Sequence, residues 1–156
     1  MPARPVSSTF LLMQNALRVL VAVDGSSSSL DACRTLTQLL PRDADVRLLT
    51  VLSYSVFPHS LLGGRLSDEE QREQAAEQTA AEVQDAAREI FESAGYDVTV
   101  VHRFGFPPNE IIAELNEHAA DVLAVGRRDG NEHASWLGSV SDRIIRRAQV
   151  PVLLVA

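Results

Sequence analysis

The chain has 156 residues, 46% of them apolar, and a formal charge of −7; it is long enough for one domain to bury a core without disulfides or a structural metal. All 14 basic residues are arginines, which excludes a Walker-type phosphate loop and Schiff-base catalysis, because both need a lysine. The negative balance argues against a nucleic-acid binder, which neutralises phosphates with a basic stripe, and no run is long and apolar enough to predict a membrane span.

Residues 1–16 read as a flexible N-terminal tail, with a short apolar patch at Phe10–Met13, and residues 17–156 as the domain. Arg18–Val23 is a short apolar run ending at the turn Asp24-Gly25-Ser26, the pattern of a fully buried strand. Ser26–Ser29 offer cap oxygens to a helix reaching Leu40, with Leu30, Cys33, Leu36, Leu39 and Leu40 at helical spacing and Pro41 as its stop. Cys33 is the only cysteine, so no internal disulfide forms; that suits a reducing cytoplasm, and the residue reads as core. Asp45–Leu52 is a second strand, and Ser53–Leu66 a long loop. Ser67 and Glu70 make a capping box for a helix to Ala94, stopped by Gly95. Nine acids against two arginines between Asp68 and Glu92 carry the whole −7, the composition of a solvated helix face.

Asp97–Arg103 alternates as a third strand. Gly105-Phe106-Pro107-Pro108 turns the chain into a helix over Asn109–Ala119. Asp121–Val125 is a fourth strand, and Gly126–Leu137 a loop. The last helix is Ser139–Ala148, with Val140, Ile144, Ile145 and Ala148 inward; Pro151–Ala156 is the fifth strand. Strict alternation of strand and helix predicts a single doubly wound α/β domain, a parallel sheet with helices on both faces. Such sheets bind ligands beyond the carboxyl ends of the strands, where strand order reverses. That points to the loops after the first and fourth strands.

In the later loop, Gly138-Ser139 stands where the final helix begins. Helix-start amides carry partial positive charge and suit a phosphate, glycine permits close approach, and Ser139 and Ser141 add hydroxyls. Arg127 and Arg128 add charge. The same residues also fit an ordinary helix cap, and Asp24 fits equally a ribose acceptor or a turn former. Four scattered histidines show no metal spacing, and no nucleophile–base–orienter set is visible.

Val21-Ala22-Val23-Asp24-Gly25-Ser26 with Ser29, the turn Gly105-Phe106-Pro107, Gly138-Ser139-Val140-Ser141 and the closing Val150-Pro151-Val152-Leu153-Leu154-Val155 together resemble the universal stress protein family. The resemblance runs from Leu17 to Ala156. It implies a five-stranded parallel sheet in order 3-2-1-4-5 and a cytoplasmic homodimer paired through the C-terminal strand. It implies a bound adenine nucleotide in one branch of the family, ATP with Mg²⁺, acting as a regulatory ligand in a stress response. The nucleotide-binding positions it implies are Asp24 at the ribose, Val51 at the base, and Gly126, Gly138, Ser139, Val140 and Ser141 at the phosphates; the neighbouring Val23, Gly25, Arg127, Arg128 and Gly130 complete the expected nucleotide site.

The glycine loop departs from the pattern of that branch, Gly-x2-Gly-x9-Gly-Ser/Thr. It reads Gly126-x3-Gly130-x7-Gly138, and Asp129 stands at the middle glycine position. A carboxylate about 4 Å from a phosphate charge is unfavourable by roughly 4 kcal/mol at an effective dielectric of 20, unless Arg127 and Arg128 offset it. The alternative expectation is therefore a nucleotide-free dimeric interaction module of the same fold. With no evident water-activating base, the enzymatic expectation is at most a slow ATPase.

Overall fold

A computed structural model describes residues 16–53, 67–127 and 139–156. The expected tail, apart from Ala16, and the loop beyond Ser53 lie outside the described residues. The elements run β1 Arg18–Ala22, α1 Ser27–Leu39, β2 Asp45–Leu52, α2 Ser67–Ser93, β3 Val98–Phe104, α3 Pro107–Glu117, β4 Val122–Gly126, α4 Ser139–Arg147 and β5 Val152–Val155. The five strands form one sheet in the order β3-β2-β1-β4-β5, every pairing parallel.

Alternation along the strands divides the core in two. Val19, Val21, Val46 and Leu48 face α1 and α2 and pack with Cys33, Leu36, Ala87 and Phe91. Leu20, Leu49, Leu123 and Val125 face the opposite side and pack with Ile111 and Leu115 of α3 and Ile144 of α4. The central strands are covered on both faces, which is why their sequences are continuous apolar runs. Cys33 is fully buried, and burial pushes its thiol up to about 11. It is a packing residue, not a thiolate nucleophile.

Several boundaries differ from the sequence reading. Val23 lies just past β1, although it stays buried and its amide donates to the Leu49 carbonyl at 2.9 Å. α3 starts two residues early, at Pro107, because proline fits the first turn, where no amide is needed. Gly126 belongs to β4, paired with Val155, rather than to the loop. Ile145 was expected inward and Leu39 at the spacing of the apolar positions of its helix, yet they are 40% and 63% exposed. Each lies on the side of its helix away from the sheet, beside residues that do face it.

Charge is handled differently on the α3 face. Glu114 is buried to 5% exposure, and its carboxylate accepts from Arg47 Nη1 at 2.8 Å and from Arg103 Nε at 2.7 Å. Burial alone would raise the Glu114 pKa, but the two guanidinium hydrogen bonds and charges outweigh it and hold it below the ordinary value. Arg103 also pairs with Glu110 at 3.6 Å and with Glu117. β2, β3 and α3 are thus clamped by an ion cluster centred on the buried Glu114.

Candidate functional site

A cleft of about 660 Å³ opens at the carboxyl end of the sheet. Its position follows from topology. The chain leaves β1 toward α1 on one face and leaves β4 toward α4 on the other, so the sheet end between them stays uncovered.

The β1–α1 turn forms one wall. Asp24 Oδ1 accepts from Ser26 N at 3.0 Å and from Ser26 Oγ at 2.6 Å, an Asx-type turn. Ser26 is then the N-cap of α1, its Oγ accepting from Ser29 N at 3.2 Å. Gly25 sits at φ +79, and a Cβ there would meet Val83 Cγ2 of α2 at 2.7 Å. Only glycine satisfies both the left-handed backbone and the close approach of α2.

Gly126 forms the floor beneath α1. A Cβ at this position would meet Ser29 Cα at 3.0 Å and Ser28 O at 3.1 Å. The absent side chain is thus required by packing of α1 against the end of β4, whatever the cleft holds. The opposite wall is the start of α4, which brings Ser139, Val140 and Ser141 to the cleft. Asp142 lies in the first turn of α4 and Arg146 and Arg147 in the last, the charge order that suits the helix dipole. Arg146 Nε donates to Asp142 Oδ2 at 3.0 Å, and Arg147 reaches Asn109 Oδ1 at 2.5 Å.

Of the positions expected from the sequence, Val23, Asp24, Val51, Gly126, Ser139, Val140 and Ser141 line one cleft. Gly25 shapes the turn but is not a lining residue, and neither is Arg127, whose amide instead donates to the Val155 carbonyl at 2.7 Å. Arg128, Gly130 and Gly138, like Asp129, lie outside the described residues. The sequence reading passed over much of the remaining wall: Thr50 and Leu52 of β2, Thr79 and Val83 of α2, and Phe106, Pro107 and Ile111 around the start of α3. The signal for Thr50 was present, since the carboxyl-end rule applies to every strand and not only to those flanking the switch point. Phe106 is 46% exposed, and the Arg143 guanidinium stands over its ring, 5.1 Å from the centroid.

This arrangement offers hydroxyls and helix-start amides on one wall, an apolar shelf at Val51 and Ile111, and a carboxylate at Asp24. It suits a small molecule with an apolar body and a polar, anionic end. A sequence profile described as the universal stress protein family matches residues 16–156.

The chain belongs to this family. Universal stress protein MJ0531 of Methanocaldococcus jannaschii is 30% identical over 144 residues, which cover 88% of this chain and 81% of that protein. A universal stress protein family structure from Arabidopsis thaliana with AMP bound superposes with a TM-score of 0.66 at 21% identity, covering 89% of this chain and 90% of the other. A universal stress protein in complex with cAMP gives 0.60 at 23% identity, covering 90% and 96%. At these identities the two structures share the fold. Among the described residues of this universal stress protein, no helix is long and apolar enough to cross a membrane.

Proposed function

We propose that this universal stress protein binds an adenine nucleotide, ATP with Mg²⁺, as a regulatory ligand in the cleft at the carboxyl end of its sheet. The observation that carries the reading is the convergence of Asp24, Val51 and the α4 start, Ser139–Ser141, on one cavity large enough for a nucleotide. The AMP and cAMP bound in the two similar structures support the ligand class. In this reading the base rests on Val51, the ribose hydroxyls face Asp24, and phosphates approach the α4 amides and hydroxyls, with Arg127 and Arg128 as flanking charges and Gly130 and Gly138 giving room. The protein acts in the cytoplasm as a homodimer through β5, whose apolar edge lies at one end of the sheet.

Calorimetry with ATP, AMP and cAMP, with and without Mg²⁺, tests this. Saturable binding that is weakened by Asp24→Ala is expected; no heat from any of the three sinks the reading. Because Asp24 also holds its turn, Asp24→Asn serves as the control that keeps an acceptor oxygen.

A second reading, a nucleotide-free dimeric module, is favoured by Asp129 at the place of a glycine. It predicts an ordinary 260/280 nm absorbance ratio for freshly purified protein. A high ratio that drops after denaturation and filtration counts against it, and a monomer by light scattering counts against both readings' dimer.

A further inference from the structure

Side chains on β2 alternate between the two faces of the sheet. Leu49 and Val51 pack on the α3 side, and Val46 and Leu48 on the α1–α2 side. Thr50 shares the latter parity. Its neighbour in register on β3 is His102, and α2 adds Thr79 and Val83 to the same wall of the cleft.

Thr50 is 3% exposed, and its Oγ1 has no hydrogen-bond partner within the protein. Among the described side chains that line the cleft, it alone has a fully covered oxygen or nitrogen left unpaired. The neighbouring hydroxyls are engaged: Thr79 Oγ1 donates to the Ala75 carbonyl at 2.9 Å, Ser29 Oγ to the Ser26 carbonyl at 3.0 Å, and Ser26 Oγ serves the α1 cap. A buried hydroxyl without a partner is a standing cost to the empty protein, and a ligand that supplies the partner removes it. The hydroxyl therefore distinguishes bound from free, which is what a recognition group must do.

Strand order decides which part of the ligand it meets. β2 lies on the far side of β1 from β4 and α4, so Thr50 stands at the end of the cleft away from Ser139–Ser141 and next to Val51. We infer that Thr50 Oγ1 hydrogen-bonds the edge of the purine base and is the side chain that discriminates among bases in this cleft. A hydroxyl can accept from the exocyclic amine of adenine or donate to a ring nitrogen. The inference rests on the nucleotide reading above.

Thr50→Val keeps the shape of the side chain and removes only the hydroxyl. The expected signature has two opposed parts. The melting temperature of the free protein is unchanged or rises, and affinity for AMP by calorimetry falls roughly five- to thirtyfold. Thr50→Ser, which keeps the hydroxyl, retains most of the affinity. Purine riboside monophosphate, which lacks the amine, and the deaza analogues of AMP, each lacking one ring nitrogen, identify the partner. One of them binds wild type about tenfold more weakly than AMP does, yet binds Thr50→Val no more weakly than AMP does. A lowered melting temperature in Thr50→Val shows a hydroxyl already satisfied in the empty protein and overturns the inference, as does equal AMP affinity of wild type and Thr50→Val, or an analogue panel without discrimination. If wild type binds no nucleotide, the nucleotide reading fails and takes this one with it; equal binding by wild type and variant overturns this one alone.

Discussion

The two ends of the sheet are built on opposite rules. At the amino end, charges are paired and strand starts are tied together: Asp121 accepts from the Arg18 amide at 2.9 Å and from Arg18 Nη2 at 3.1 Å, while its own amide donates to the Arg18 carbonyl at 2.8 Å. Along the α3 face, Glu114 holds Arg47 near the start of β2 and Arg103 one residue before the end of β3. At the carboxyl end the same sheet carries glycines, serines and an unpaired threonine around an open cleft. The ion-paired part uses its polar groups to close the structure, whereas the cleft, though Ser26, Ser29 and Thr79 are hydrogen-bonded locally, leaves the Thr50 hydroxyl without a partner in the protein. The division is the usual cost of a site, since groups arranged for a ligand are not fully satisfied without it.

If that comparison is right, damage on the ion-paired side should appear in stability and damage at the cleft in binding. The largest effect is expected from Glu114→Ala, which takes the buried carboxylate from Arg47 and leaves Arg103 only Glu110 and Glu117, and should cost about 3 kcal/mol in urea unfolding while leaving nucleotide affinity of the folded protein within about twofold. A change in stability too small to measure would remove the clamp from the argument.

Gly126→Ala crosses the boundary between the two ends. Its Cβ would press on the backbone of α1 at Ser28 and Ser29, at a cost of about 2 kcal/mol, and displacing α1 should also weaken nucleotide binding. Loss of binding with an unchanged unfolding midpoint would mean that the glycine serves the ligand alone.

Acid should act on the ion-paired side. The folded pKa of Glu114 lies below its unfolded value, so the unfolded chain takes the proton first as pH falls. Its contribution is complete above about 4.3 and is lost as pH drops below that. Burial, then the charge of Arg47, lowers the pKa of His118. That contribution is present above about 6.5 and starts to be lost as pH falls below it. Unfolding midpoints measured across this range should decline in two stages, and Glu114→Gln should flatten the lower one. A pH profile identical to wild type would refute the assignment.

The smallest effect is expected at Asp121→Asn. The Arg18–Asp121 pair is about two-fifths exposed on both sides, and solvent-exposed pairs contribute little, so a loss smaller than either of the two above is expected, shrinking further in high salt. A larger loss would show that the charge of Asp121, and not only the acceptor oxygen that asparagine keeps for the Arg18 amide, ties the strand starts together.

The legible part of this protein is the part set by local chemistry. The apolar run at Val19–Val23, the serines after Asp24 and the break at Pro41 specify a buried strand, a capped helix and its end with no reference to distant residues. Alternation of such units is enough to call for a parallel sheet with a switch point. Asp24, Val51 and Ser139–Ser141 could be named because they fall at strand ends or helix starts, positions that the sequence marks directly. The boundary of α3 moved because the turn and the helix share the same prolines, and either could claim them.

Long-range proximity was not legible. Glu114 looks like any charged helix residue until β2 and β3 bring Arg47 and Arg103 to it across the sheet. Gly126 looks like a loop glycine until α1 crosses above it. Thr50 looks like a β-branched strand residue, and only the combination of register, parity and the position of α2 leaves its hydroxyl covered and unpaired in the cleft. By itself, then, the sequence determined the elements, their order and the end of the sheet that holds the cleft, because these follow from periodicity and capping. The tertiary structure alone decided which polar groups are spent on stability and which are left for a ligand, because satisfaction of a hydrogen bond depends on what the rest of the chain brings within reach.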